Sequence, residues 1–264
     1  MASREPTSIQ TAAGHQLSAV LDLPEGEPRG LPALFAHCFT CGKDIRAASV
    51  IARTLAQAGV PVLRVDFTGL GHSEGEFGRA GLCADLADLH AARAWLRERF
   101  GHGPGLMIGH SLGGVAALLA SLEAPEVRAL VTIGTPADPS HVQRVIIGHE
   151  AVEEQGSAEV SIGGRPFRVH RQLLDELRAH ERVVERVAAF ARPLLILHAP
   201  EDRTVPLSAA GRLYAAARQP KSFVALDGAD HLLSKAAAGQ RAARIIAAWA
   251  APYLELQPSP SPQV

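Results

Sequence analysis

Ile108-Gly109-His110-Ser111-Leu112-Gly113-Gly114 is the stretch whose reading decides the fold. Residues 104–108 before it are short and apolar, bounded by Gly101-His102-Gly103, and read as the end of a buried strand. Residues 115–122 after it are rich in alanine and leucine with no breaker, and read as a helix. A G-x-S-x-G between a strand and a helix is the pattern of a nucleophile elbow. A serine held out of such a turn needs a strained backbone, and a side chain two residues to either side clashes with it. Gly109 and Gly113 remove those clashes because glycine has no Cβ. The helix that follows offers unpaired N–H groups and a positive dipole end to an anion formed beside Ser111. The competing reading is a serine N-cap on a closely packed helix, so partners elsewhere in the chain have to decide.

Outward from this point, strands and helices alternate. Residues 7–11 and 16–23 read as a hairpin turning through Ala13-Gly14-His15. Residues 31–36 read as an apolar strand, 44–58 as a helix, 61–65 as a strand and 84–100 as an amphipathic helix with Leu86, Leu89, Ala92 and Leu96 on one face. A strand at 129–133 follows the elbow helix. Apolar strands alternating with helices predict an α/β fold: a mostly parallel sheet of about eight strands, covered on both faces, with the leading hairpin adding antiparallel strands at one edge. Between Thr135 and Arg192 the rhythm breaks. Helices at 140–147 and 172–189 are expected there, flanking a hairpin at 158–169 around Gly163-Gly164. Alternation resumes with a strand at 193–198, a helix at 209–217, a strand at 222–226 and a helix at 236–250. The organisation expected is a core of residues 1–135 and 193–254, a cap insertion at 136–192, and a disordered Pro/Ser-rich tail at 255–264.

A nucleophilic serine needs a base to take its proton and an acid to orient that base. In an open α/β sheet such groups gather beyond the carboxyl ends of the strands, so the loops after strands are the place to look. The loop after the penultimate strand contains Glu201-Asp202-Arg203-Thr204-Val205-Pro206, and the loop after the last contains Asp227-Gly228-Ala229-Asp230-His231. Ser111, Asp202 and His231 then follow one another in the order serine, acid, histidine. Asp202 is chosen over Glu201 for its shorter side chain and its offset before Val205-Pro206; Asp138 is the competing acid position. His110 is expected to pack against the turn, and His198 to be structural. Two backbone donors are expected for an oxyanion: the Leu112 N–H, and the Phe39 N–H from the loop after the first long parallel strand, with Cys38 as the alternative.

Composition excludes several classes. The 264 residues are 47% hydrophobic and 20% charged with a net charge of −1, which points to neither a nucleic-acid partner nor an anionic membrane surface. No apolar run reaches the roughly 18–20 residues of a membrane span, and the N-terminus lacks the apolar core of a signal peptide. The chain therefore reads as soluble and cytoplasmic. Cys38, Cys41 and Cys83 do not suggest a disulfide scaffold. The Cys38-x-x-Cys41 spacing lacks both the thioredoxin-like context and a second cluster of zinc ligands, and whether the two cysteines pair stays open. Gly69-Leu70-Gly71 has Glu74 where a dinucleotide loop needs its third glycine. No cofactor and no metal is implied, and Asp66, Gly69, Gly71 and Ser73 are expected to fix a tight loop beside the elbow.

The chain resembles the α/β-hydrolase superfamily, and within it the small-cap esterases with His-x-Phe-Thr oxyanion loops, including cinnamoyl and feruloyl esterases. The resemblance is carried by His37-Cys38-Phe39-Thr40, Asp66-Phe67-Thr68-Gly69-Leu70-Gly71-His72-Ser73-Glu74-Gly75, Gly109-His110-Ser111-Leu112-Gly113-Gly114 and Ala229-Asp230-His231. A closer resemblance, carried by residues 36–44 and Pro220-Lys221-Ser222-Phe223, is to the hydrolase half of proteins in which such a domain is fused to an OsmC-like domain. It implies a serine carboxylesterase acting on a small-molecule ester, and the small cap with an apolar wall expected from the Phe39, Phe67 and Phe77 loops favours short acyl or aromatic esters over long-chain lipids. It also leaves a homo-oligomer and a lost or cut-off OsmC-like partner beyond Leu256 as open expectations. Thioester, peptide or carbon–carbon cleavage on the same triad, and a non-catalytic binding module, are the rival readings. The chain departs from the pattern at Cys38, where the motif commonly has glycine.

Overall fold

The structure is a computed structural model that describes residues 3–162, 164–180 and 182–255. In chain order it contains β1 (Ser3–Gln10), β2 (Gln16–Leu23), β3 (Ala33–Ala36), α1 (Arg46–Gln57), β4 (Val62–Val65), α2 (Leu82–Phe100), β5 (Leu106–His110), α3 (Leu112–Leu122) and β6 (Ala129–Ile133). After a 3-10 turn (Pro139–Val145) come β7 (Ile146–Ile147), α4 (His149–Gln155), β8 (Ser157–Ile162), β9 (Arg165–His170), α5 (Arg171–Ala179) and α6 (Val183–Ala189). The chain then runs through β10 (Leu194–His198), α7 (Leu207–Ala216), β11 (Lys221–Ala225) and α8 (Ala236–Leu254).

The main sheet has eight strands in the order β1-β2-β4-β3-β5-β6-β10-β11. The β1–β2 and β2–β4 pairs are antiparallel, and every pair from β4 to β11 is parallel. The central strands are buried at every position and mostly apolar, because both faces of the sheet are covered. Leu34, Met107, Leu130 and Ile196 point to the face carrying α2, α3, α6 and α7. Phe35, Ile108, Val131 and Leu197 point to the face carrying α1 and α8. The period of two that alternates these sets is the pleat itself.

This order sets the position of the site. After β3 the chain steps outward to β4, then returns to place β5 on the other side of β3. The loops leaving β3 and β5 therefore diverge, and between them lies the crevice where ligands bind in open α/β sheets. Ala36-His37-Cys38-Phe39 leaves β3, and Ser111 leaves β5.

Several boundaries differ from the sequence expectation for physical reasons. The first strand begins at Ser3 rather than at residue 7. Pro6 lacks a donor, but β1 is an edge strand where that costs no ladder bond. The helix expected at 140–147 is a 3-10 turn followed by β7: the β-branched pair Ile146-Ile147 is recruited to β8, Ile146 opposite Ile162. The single helix expected at 172–189 is two. Leu173, Leu174 and Leu177 are the buried face of α5, whereas Val183 and Val187 are that of α6. An unbroken helix would bring Val184 onto the leucine stripe and turn Val183 and Val187 off it. The helix α4 was not expected at all. The hairpin is present as β8 and β9, with Gly163 of its turn outside the described residues, as is the tail beyond Glu255. Among the described residues no helix is long and apolar enough to cross a membrane.

Candidate active site

Ser111 sits between β5 and α3 with φ 55° and ψ −125°, in the left-handed region that a β-carbon disfavours. The flanking glycines let the turn close. A Cβ on Gly109 would lie 2.3 Å from the Gly114 Cα, and one on Gly113 would lie 2.2 Å from the His37 carbonyl oxygen. The Ser111 N–H donates to the Ile133 carbonyl (2.8 Å) and its carbonyl accepts from the Gly114 N–H (2.9 Å). The strained residue is thus held from both sides, and its side chain faces a cavity of about 400 Å³.

Two loops bring partners to it. The loop after β10 carries Asp202 and the loop after β11 carries His231. His231 Nε2 lies 3.0 Å from Ser111 Oγ, and its Nδ1 lies 2.7 Å from Asp202 Oδ2. The other carboxylate oxygen of Asp202 accepts the N–H groups of Thr204 (2.8 Å) and Val205 (2.9 Å). Burial alone would raise the Asp202 pKa. The hydrogen bond from His231, that from the Val205 N–H, the charge of His231 and the Thr204 N–H outweigh it and hold the carboxyl below the usual carboxylate range. With Nδ1–H donated to Asp202, Nε2 is left to accept the Ser111 hydroxyl proton.

The competing acids lie elsewhere. Asp138 accepts the Ser140 N–H (2.9 Å) and hydroxyl (2.7 Å) at the start of the 3-10 turn, and Glu201 is exposed. His198 donates through Nε2 to the Val205 carbonyl (2.9 Å), which braces the loop behind Asp202.

The loop after β3 supplies the other side of the site. The His37 ring accepts the Phe67 N–H at Nε2 (3.1 Å) and donates from Nδ1 to the Cys38 carbonyl (2.8 Å), a neutral tautomer that burial favours by lowering the His37 pKa. Cys38 and Cys41 are joined by a disulfide, so the pair left open by sequence is a local staple around Phe39 and Thr40. Thr40 has φ 59° inside that loop. The Leu112 and Phe39 N–H groups have no acceptor among the described residues, and both residues line one recess beside the serine turn. Asp66 fixes the neighbouring loop as expected: it accepts the Lys43 ammonium (2.7 Å) and the His72 N–H (3.0 Å).

One contributor was missed in the sequence. His110 does not simply pack against the turn: its Nε2 donates to the His231 carbonyl (2.7 Å), tying the strand before Ser111 to the loop that carries the histidine. Burial first, then His231 nearby, lower the His110 pKa to about 4 from 6.5, so the folded protein keeps this ring neutral. The unfolded chain binds a proton there below pH 6.5 and the folded chain does not, so stability rises with pH across that window and is lost as pH falls from 6.5 towards 4. A lowering from 6.5 to about 4 corresponds to a loss on the order of 3 kcal/mol. Urea unfolding at a series of pH values should show this slope, and His110→Gln should flatten it; an unchanged slope in the variant would assign the acid sensitivity to other groups.

Comparison with known proteins bears on the family of this fold. A sequence model of the family described as serine aminopeptidase, S33, matches residues 41–154. The chain is 26% identical to the uncharacterized protein YfhR of Salmonella typhimurium over 78% of its own length and 67% of that protein's. It is 31% identical to the lysophosphatidylserine lipase ABHD12 of Danio rerio over 72% of its length, spanning 47% of that relative. Among solved structures, the esterase domain of a Rhodothermus marinus protein is 41% identical, with 94% of this chain and 98% of that one covered at a TM-score of 0.76. Est1E of Butyrivibrio proteoclasticus with ferulic acid bound is 23% identical, with 94% and 98% covered at 0.81, and supports the fold alone. With the Rhodothermus domain matched over nearly all its length, and with this sheet order and strand–serine–helix turn, the chain belongs to the α/β-hydrolase family.

Proposed function

We propose that the protein is a serine carboxylic ester hydrolase acting on short-chain or aromatic esters through an acyl-enzyme. The observation that carries this reading is the continuous relay from Ser111 Oγ to His231 Nε2 (3.0 Å) and from His231 Nδ1 to Asp202 (2.7 Å), opening on an apolar cavity. His231 takes the Ser111 proton as Oγ attacks the ester carbonyl, and Asp202 stabilises the imidazolium that results. The negative oxygen of the tetrahedral intermediate is received by the Leu112 and Phe39 N–H groups. His231 then returns the proton to the leaving alcohol, and later activates the water that releases the acyl group. Residues 136–192 act as the cap, and Val142 and Ile162 from it line the cavity. The esterase and lipase named among the relatives support ester cleavage. The family description as a serine aminopeptidase is the reason to include amides in the substrate panel.

A fluorophosphonate probe and a panel of p-nitrophenyl esters of increasing acyl length, with the matching p-nitroanilides beside them, test the reading together. One covalent adduct on Ser111 and turnover of the short esters are expected. Labelling that survives Ser111→Ala, or no turnover by a folded protein, would overturn it.

The disulfide yields a second expectation for this site. Cys38–Cys41 brackets the residue whose N–H receives the oxyanion. Reduction leaves the loop held by hydrogen bonds from the Cys41 N–H (3.0 Å) and His37 Nδ1 (2.8 Å) to the Cys38 carbonyl, by the Arg165 guanidinium on the Thr40 carbonyl, and by the tilted contact of the Phe39 and Phe77 rings at 5.3 Å. Removing an oxyanion donor outright costs about 10²–10³ in rate; loosening one is expected to cost about tenfold in kcat, with KM little changed. Steady-state kinetics before and after dithiothreitol, with thiols counted by mass spectrometry and Cys83→Ser as the background, measures it. An unchanged kcat in the fully reduced protein would show that the loop holds its shape without the bond.

A further inference from the structure

The cavity above Ser111 is mostly apolar, with Thr40, Thr204 and the Ser111–His231 pair as polar groups beside a single arginine. Phe39, Val142, Ile162, Val205 and Leu232 supply its hydrophobic wall, and among the described residues that line it Arg165 is the only one with a fixed charge. Arg165 opens β9, on the hairpin that the segment between β6 and β10 folds over the site. Its partners are neutral. One guanidinium nitrogen donates to the Thr40 carbonyl in the oxyanion-side loop, and the guanidinium lies 5.3 Å from the centre of the Phe167 ring. Among the described residues no carboxylate forms an ion pair with it, whereas Arg178, Arg93 and Arg64 each have one.

This arrangement is suited to recognition. The Thr40 carbonyl and the Phe167 ring both contact the guanidinium of this exposed residue, and an arginine has five N–H donors, of which the Thr40 carbonyl uses one. A few placed polar groups in a mostly apolar pocket are what orient a bound ligand. Here the one placed charge is positive, and its planar fork matches a carboxylate.

We propose that Arg165 is a specificity-determining residue that selects esters whose apolar chain also carries a carboxylate, the carboxylate pairing with the guanidinium while the ester carbonyl sits at Ser111. This rests on the ester hydrolase reading of the same site and deepens it: that reading says how the bond is cleaved, and Arg165 says what else the substrate carries. The cavity wall covers the chain between the two polar ends.

The test is a matched pair of substrates. The p-nitrophenyl ester of hexanoate and the p-nitrophenyl monoester of hexanedioate have the same acyl length and differ in ending on a methyl or a carboxylate. The same comparison on the alcohol side uses phenyl hexanoate and 4-carboxymethylphenyl hexanoate, followed by proton release. For at least one pair, kcat/KM is expected to favour the anionic ester by about tenfold or more, the scale of one charge-assisted hydrogen bond. That ratio should collapse towards one or below in Arg165→Met and be partly retained in Arg165→Lys. Ratios at or below one in both pairs for the wild type, or ratios that Arg165→Met leaves intact, would overturn the proposal. Failure of the hydrolase reading looks different: none of the four esters would turn over faster with the wild type than with Ser111→Ala. Calorimetric binding of the anionic esters to Ser111→Ala, with and without Arg165→Met, reads the contact independently of turnover. Equal affinities there would also overturn it.

Discussion

Ser111→Ala is expected to lower kcat on the best aryl ester by about 10⁴–10⁶, the scale seen when a nucleophilic serine is removed from such a relay. The loss should appear in kcat rather than in KM, since the cavity wall and the backbone N–H groups are untouched. The variant should remain folded. Ser111 already holds a backbone conformation with φ 55°, and alanine in its place meets the same strain with one atom fewer. The Ile133 and Gly114 hydrogen bonds that hold the turn are made by the backbone and survive the substitution. An unchanged circular dichroism spectrum and melting temperature, beside the rate loss, would separate chemistry from stability. A loss of tenfold or less would place the nucleophile elsewhere, and the serine would revert to a strained helix cap.

This site was legible in the sequence because its parts are local. The elbow is spelled by five consecutive residues, and Gly109 has a steric reason within the turn itself, where a Cβ would meet Gly114, although Gly113 is required by the remote His37 carbonyl. Asp202 and His231 could be found because each directly follows a strand, and strands are the most regular signal in this chain. What was hidden depends on contacts between remote positions. The His110 bond to the His231 carbonyl joins residues 121 apart, and nothing in either neighbourhood announces it. The position of Arg165 over the Ser111 cavity depends on how a hairpin 54 residues downstream folds back, which periodicity cannot express. The insertion was the least legible region for the same reason. Its elements are short, and the breaks between α5 and α6 and between the 3-10 turn and β7 are decided by which face meets the core.

The acid is where the sequence reading had to choose, and it is where the second large effect is expected. Asp202→Asn should lower kcat by about 10⁴. Asn keeps the shape and can still accept the Thr204 and Val205 N–H groups through its oxygen, so the loop should stay in place. Its amide nitrogen, however, is then the atom that faces His231 Nδ1, and it is a donor. The ring is driven to the tautomer with its proton on Nε2, which can no longer accept the Ser111 hydroxyl. The positive charge that develops on His231 in the transition state also loses its carboxylate at 2.7 Å. The two rejected acids make the contrast. Glu201→Gln and Asp138→Asn should each change kcat by no more than a few-fold, because Glu201 is exposed and Asp138 caps the 3-10 turn through Ser140. If Asp138→Asn instead gave the 10⁴ loss and Asp202→Asn did not, the relay drawn from the 2.7 and 3.0 Å contacts would be wrong at its third member. If all three variants were mild while Ser111→Ala was severe, His231 would be working without a carboxylate partner, and the depressed Asp202 pKa would report structure rather than catalysis.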